Sequence, residues 1–296
     1  MKILRHFCYV SLLIPGMMIP TSSLKAEKTL PNIIVLLADD MGYGDPGFNG
    51  TSQIPTPNMD RLAGEGMNFT DAHATSALCT PSRYSLLTGR YAWRTGLKER
   101  VLGSFSPPLI DTARPTLGSF LKQNGYTTGA VGKWHLGLDW AVKPRTGPSR
   151  GDGWNDPGNI DYTRPVRGGP VDLGFDYFYG IAGSLNLPPW CFIENDRVTE
   201  IPELPVVRPE SFWEGTPSGT MTESWSFADV DVKHTEKAVE FIEEAAGNDD
   251  PFFLYFAPSA PHSPWIVPEF MKGASGIGDR GDLVALLDWM VGQLED

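Results

Sequence analysis

Cysteine and histidine are scarce in this chain, three and five among 296 residues, and the 24 Lys and Arg are outnumbered by 36 Asp and Glu. So few cysteines exclude a disulfide framework as the basis of the fold. A formal net charge of −12 argues against nucleic acid as a partner, since phosphate binding is built on clustered cations. The same charge repels anionic ligands at long range, so any anion site must be a local cationic pocket. Beyond residue 26 no apolar run is long enough to span a bilayer, and stable membrane insertion is not expected. What is present is a globular composition: 41% hydrophobic and 11% aromatic residues suffice for a large core, which sets aside disordered and collagen-like classes. The 32 Gly and 26 Pro suit a scaffold with long functional loops better than a helical bundle.

Residues 1–26 have the layout of a secretory signal: Lys2 and Arg5, an apolar run over residues 7–19, then Thr21, Ser22 and Ser23. A membrane anchor is the competing reading, but the run is broken by Pro15 and Gly16 and is short for a span, so cleavage after Ala26 and export to the periplasm or the extracellular space are expected. Cleavage removes Lys2, Arg5 and Lys25 but no acid, so residues 27–296 are more acidic still. Cys8 leaves with the signal. Cys79 and Cys191 remain, and a disulfide between them competes with a chemical role for Cys79.

Residues 32–38 (NIIVLLA) read as a strand buried on both faces of a parallel sheet, ending in Asp39, Asp40 and a glycine-rich turn. A short helix is expected over 59–65. A second starts after Thr116, which suits an N-cap, and stops near Gly125. TTGAV at 127–131 and FFLYF at 252–256 are further short strands. Between them, 229–246 carries Val232, Thr235, Val239, Ile242 and Ala246 at helical spacing. Residues 139–170 and 187–219, rich in Gly and Pro, read as long loops. Residues 282–296 form a last helix with Leu283, Leu286, Leu287, Met290 and Leu294 on its apolar side. Strands alternating with helices predict an α/β fold: a largely parallel mixed sheet with helices on both faces.

Reactive groups in such sheets collect beyond the carboxyl ends of the strands. Asp39 and Asp40 follow the first strand, Lys133 and His135 the second, and His262 the third. Adjacent carboxylates suit a hard divalent cation, though a turn or cap uses the same residues. In CTPSRYSLLTGR, residues 79–90, a thiol stands four residues before Arg83, with a helix expected from Ser82 onward; this is an anion site or a buried thiol beside a structural arginine.

That stretch resembles the sulfatase motif cysteine, any residue, proline, serine, arginine, two residues, leucine, one residue, threonine, glycine, through Cys79, Pro81, Ser82, Arg83, Leu86, Thr88 and Gly89. GYTTGAVGKWHLG, residues 125–137, is similar to the family's second motif. The resemblance to formylglycine-dependent, arylsulfatase-like sulfatases of the alkaline phosphatase superfamily runs from about Leu30 to Asp296. It implies an alkaline-phosphatase-like sheet and oxidation of Cys79 to formylglycine by a maturation enzyme. It also implies a divalent ion, Ca²⁺ or Mg²⁺, on Asp39, Asp40 and the modified Cys79. By the same resemblance, Arg83 holds the aldehyde hydrate, His135 accepts its proton, Lys133 contacts sulfate, and His262 binds sulfate and assists the leaving oxygen. The implied substrate is a sulfated small molecule or glycan. Phosphate or phosphonate ester hydrolysis by the same site, and non-catalytic binding of sulfated glycans, are the readings that compete.

The resemblance also marks what is missing. The family has a later Asp-Asn metal pair, another lysine and a small C-terminal domain, none of which occurs in residues 27–296. The expectation is therefore the N-terminal part of a catalytic domain, truncated before the last strands and the C-terminal subdomain, with impaired activity. Of the other residues, His73 is expected to brace the Cys79 loop, His234 to face solvent and Cys191 to be a packed thiol. Trp140, Trp154, Trp190 and Trp213 either line a substrate pocket or cover the core, and the core is the expectation.

Overall fold

The computed structural model describes residues 30–50, 53–144, 159–206, 212 and 216–295. The signal at 1–26, Trp154 and Trp213 lie outside the described residues. Residues 31–295 contain β1 (Ile33–Leu36), α1 (Pro57–Glu65), α2 (Cys79–Thr88), α3 (Leu117–Gln123), β2 (Thr127–Lys133) and β3 (Tyr177–Ile181). The short strands β4 (Ile193–Glu194), β5 (Arg197–Val198), β6 (Leu204–Pro205) and β7 (Thr220–Met221) follow. α4 (Val230–Ala246), β8 (Phe252–Ala257) and α5 (Asp279–Glu295) complete the order. No described helix is long and apolar enough to cross a membrane.

A six-stranded sheet runs β1-β8-β2-β3-β4-β5. Its first four strands are parallel, and β4 and β5 are antiparallel, so the sheet is mixed but largely parallel. Strand geometry sends successive side chains to opposite faces, and β8 follows that rule. Phe253, Tyr255 and Ala257 join Tyr84 and Leu87 of α2 and Leu121 of α3 in one core. Phe252, Leu254 and Phe256 join Ala238 and Phe241 of α4 and Leu283, Leu286, Leu287 and Met290 of α5 in the other. Helices thus cover both faces, as the alternating pattern predicts.

Several boundaries and environments differ from the expectation. β1 lies at the edge of the described sheet and is only partly buried on its faces, with Ile34 39% exposed. Beside that edge, Ile34, Leu36, Met59, Leu62, Met67 and Leu294 line an apolar groove of about 590 Å³. α2 starts at Cys79 itself, with Leu78 as N-cap, so the thiol belongs to the first helical turn. α3 is closed by Thr116 and Ser119 in a reciprocal capping box. The segment 187–219 is not all loop but carries β4, β5 and β6; two-residue strands leave no period to read. β3 likewise lies between the expected elements.

α4 buries a different face from the one expected. Asp231, His234, Thr235, Ala238, Phe241 and Ala245 face inward, while Val239 and Ile242 are half-buried and Ala246 is exposed. His234 is therefore a core residue, not a solvent-facing one. Its Nδ1 lies 3.0 Å from Asp231 Oδ1, and this mutual hydrogen bond lets two polar side chains enter the interior. His73 instead is exposed, with Nε2 2.8 Å from Asp71 Oδ1. Trp140 and Trp190 are core residues and Cys191 is a buried free thiol, as expected.

Candidate active site

The carboxyl ends of the four parallel strands converge, and each delivers a polar residue. From β1 the chain passes to Asp39 and Asp40. Asp39 is buried and its backbone N–H donates to Ala260 O at 3.2 Å, tying the end of β1 to the loop after β8. Asp40 has φ 63°, a left-handed conformation for a non-glycine residue, and its carboxylate is 57% exposed. Arg280 of α5 donates to Asp40 O at 3.2 Å and grips Asp45 at 2.9 and 2.7 Å, which fixes the turn from outside.

β2 ends on Lys133. The preceding Gly132 has φ 113°, and a Cβ there would stand 2.2 Å from Ala257 O, so only glycine permits this approach of β2 to β8. Lys133 is buried and its ammonium ion-pairs with Asp39 Oδ2. It also donates to Ser184 Oγ at 3.0 Å and reaches Cys79 Sγ at 3.4 Å. Arg83, on the second turn of α2, lies 3.5 Å from the same Asp39 oxygen and donates to Lys133 O at 2.6 Å and to Tyr255 Oη at 3.4 Å.

His135 has φ 54° and is buried. Its Nε2 lies 2.7 Å from Leu102 O and therefore carries the proton, which leaves Nδ1 as an acceptor with no partner among the described residues. Thr80, next to Cys79, donates to His135 O at 2.9 Å and accepts from Leu102 N at 3.2 Å, so one hydroxyl joins three segments. His262 holds Nδ1 against Ser263 O and 3.4 Å from Ser184 Oγ, with Nε2 3.6 Å from Asp40 Oδ2.

Burial and charge set the protonation states. Burial alone would raise the Asp39 carboxyl, but Lys133, Arg83 and His262 more than offset it and hold the group far below the usual carboxylate range. Burial pushes the Cys79 thiol up, despite the opposing Lys133. Burial, reinforced by Lys133, lowers both His135 and His262, leaving neutral imidazoles at pH 7.

Asp39, Cys79 and His262 each bring one donor atom within 4.8 Å of the others. The two buried cations, Lys133 and Arg83, both lie against the Asp39 carboxylate, and Asp40 adds a second negative charge beside His262, so the positive charge left for an anion is small. Two oxygen donors at one strand end, one of them open to solvent, fit part of the coordination of a hard divalent ion. Such an ion would also supply the missing positive charge.

The seven positions expected from the sequence, Asp39, Asp40, Cys79, Arg83, Lys133, His135 and His262, therefore border one site. Ser184 was not among them. It sits three residues beyond β3, and the aromatic and β-branched run YFYGI at 177–181 is the signal that points to it.

The family model for sulfatase matches residues 31–296. N-acetylgalactosamine-6-O-sulfatase of Bacteroides thetaiotaomicron is 35% identical over 89% of this chain and 54% of its own length. Arylsulfatase G of Homo sapiens is 32% identical over 92% of this chain and 49% of its own. The chain thus spans about half the length of the curated relatives it matches. Among solved structures, a protein described in work on the metabolism of multiple glycosaminoglycans by Bacteroides thetaiotaomicron matches with TM-score 0.74 and 34% identity. That match covers 89% of this chain and 58% of that one. Ps i-CgsB in complex with k-i-k-neocarrahexaose matches with TM-score 0.63 and 26% identity, over 89% of this chain and 54% of that one.

Proposed function

The chain belongs to the sulfatase family, and from that premise we propose that it contributes the nucleophile-bearing half of a site that hydrolyses sulfate esters, with formylglycine made from Cys79. The observation that carries this reading is the setting of Cys79. A thiolate nucleophile needs a lowered pKa, whereas burial raises this one, although Lys133 Nζ stands 3.4 Å away. A half-buried thiol on the first turn of a helix, between Asp39 and His262, whose pKa is raised rather than lowered, makes better sense as the precursor of another nucleophile than as the nucleophile itself.

The modified residue, as a hydrated aldehyde, supplies one hydroxyl to displace the alcohol from sulfur and a second whose deprotonation releases sulfate and restores the aldehyde. Asp39, Asp40 and the modified Cys79 would hold a divalent ion, Ca²⁺ or Mg²⁺, which would supply charge shielding and a lowered hydroxyl pKa. The chain's own residues do the rest. Arg83 and Lys133 hold Asp39 ionised, and Lys133, with its ammonium between Asp39, Ser184 and Cys79, is placed to meet a sulfate oxygen. His135 offers the unpartnered Nδ1 lone pair as proton acceptor. His262 directs Nε2 toward Asp40; an ester's negative charge beside it favours protonation, so a proton becomes available to the departing alcohol when substrate arrives.

The partners are a sulfated small molecule or glycan and a formylglycine-generating maturation enzyme, met on export to the periplasm or extracellular space. The sulfated-glycan side of this reading draws on the relatives, one named for N-acetylgalactosamine-6-O-sulfate chemistry and one solved with a neocarrahexaose. The test is turnover, expected to be low for half a site, by the chain produced together with the maturation enzyme. Aryl sulfate is expected to be cleaved in preference to aryl phosphate, with turnover abolished by Cys79→Ala. Preference for phosphate, or turnover that survives Cys79→Ala, would reject the reading.

A further inference from the structure

Asp231 stands in the first turn of α4 and is 5% exposed. An acid in that place ordinarily caps its own helix, but here each carboxylate oxygen accepts from a backbone N–H outside it. Ser259 N donates to Oδ1 at 2.8 Å and Ala260 N to Oδ2 at 2.8 Å, two consecutive N–H groups of the turn that follows β8. His234 Nδ1 lies 3.0 Å from the same Oδ1. His234 is fully buried, edge-on to the rings of Phe192 at 5.8 Å and Tyr179 at 6.4 Å between centroids. Its Nε2 has no partner among the described residues. Burying a carboxylate is costly unless its oxygens are hydrogen-bonded, and these bonds all run to the turn or to the brace behind it.

That turn carries His262. His262 N donates to Ser259 O at 2.9 Å, closing the turn on itself, and Ala260 O accepts from Asp39 N at 3.2 Å. Residues 259–262 are thus held from two sides, by Asp231 below and by the end of β1 above. Loss of the lower hold frees the turn to rotate about the Asp39 contact. Such a rotation would carry the imidazole away from Ser184 and Asp40, which it meets at 3.4 and 3.6 Å.

We propose that Asp231, braced by His234, is a positioning residue that sets where His262 stands in the site. It touches neither Cys79 nor any group assigned to the chemistry, and acts only through the backbone of Ser259 and Ala260. The proposal rests on reading His262 as a sulfate-binding residue, but the clamp itself is a statement about geometry and can be tested apart from that reading.

The experiment compares the parent chain with Asp231→Ala, Asp231→Asn and Asp288→Ala. Asp288 is a matched control: buried, accepting backbone N–H groups from Asn58 at 3.3 Å and Met59 at 2.8 Å, but on the α1–α5 contact. Two readouts are taken in calcium-containing buffer, the imidazole resonances of His262 by NMR and the affinity for inorganic sulfate by calorimetry. Asp231→Ala is expected to shift or broaden the His262 resonances and to weaken sulfate roughly 10–100-fold, the range typical of residues that orient a functional group. Asp231→Asn, which keeps one acceptor, should fall between. Asp288→Ala should lower the melting temperature with both readouts unchanged.

The proposal is overturned if Asp231→Ala leaves the His262 resonances as in the parent, or weakens sulfate no more than Asp288→Ala does. Should Asp231→Ala fail to fold, Asp231→Asn is judged by the same criteria. A parent that binds no sulfate would count against the sulfatase reading of the site, while the His262 resonances would still decide the clamp.

Discussion

Replacing Lys133 by methionine keeps most of the buried stem but removes the ammonium that holds Asp39. The side chain is fully buried, and its charge is the nearest cation to a carboxylate that is only 5% exposed. Removing one partner of such a buried pair costs about 3–5 kcal/mol, because the remaining charge is left uncompensated. Arg83 stays 3.5 Å from the same oxygen, so the lower end, about 3 kcal/mol, is expected. Asp39→Asn removes the charge from the other side, and the double variant should cost less than the sum of the singles, with a coupling of about 2 kcal/mol.

The pH dependence of this stability has a definite sign. Asp39 has its folded carboxyl depressed below the ordinary value of 3.8, so its contribution is complete above that pH and is lost as pH falls toward the folded value. Lys133→Met brings the two values closer, so the parent should lose more stability than the variant when pH drops below about 4. Urea unfolding at pH 7 and at acid pH, on the four members of the cycle, measures both quantities. A Lys133→Met cost under about 1 kcal/mol, or additive singles with equal acid slopes, would refute the account of a cation-held Asp39.

Two further perturbations separate other parts of the structure. Thr80→Val removes the hydroxyl that joins His135 O to Leu102 N while keeping the shape. Denaturant unfolding should show a loss of about 1–3 kcal/mol, since a buried carbonyl and a backbone N–H lose their partner together. Ile34→Lys places a charge on the exposed edge strand beside the apolar groove. Light scattering should report less self-association, with stability changed by no more than about 0.5 kcal/mol.

Much of the site was legible because parallel-sheet chemistry is local. The apolar runs ending in Asp39 and in Lys133, and the one shortly before His262, are visible as runs, and the rule that reactive groups gather at strand ends places them together without coordinates. Ser184 escaped because β3 was hidden between loop-like segments, and without that strand its end could not be located. The face of α4 was misplaced for a different reason. Its apolar spacing marks one stripe, but Asp231 and His234 lie on the buried stripe next to it. Hydropathy patterns score these residues as outward, and only their mutual hydrogen bond and the backbone of Ser259 and Ala260 make the interior acceptable to them. β1 was expected to be buried on both faces, and Ile34 is exposed: an apolar run tells that a strand prefers burial, not which other elements cover it.

The proposed chemistry depends on the fate of one sulfur atom, and mass spectrometry of the peptide containing Cys79, from chain produced alongside a formylglycine-generating enzyme, tests it most directly. The expected product has lost the sulfur and two hydrogens, gained one oxygen, and reacts with a carbonyl-specific hydrazide. A peptide that keeps its thiol quantitatively, or is joined to Cys191, would contradict it.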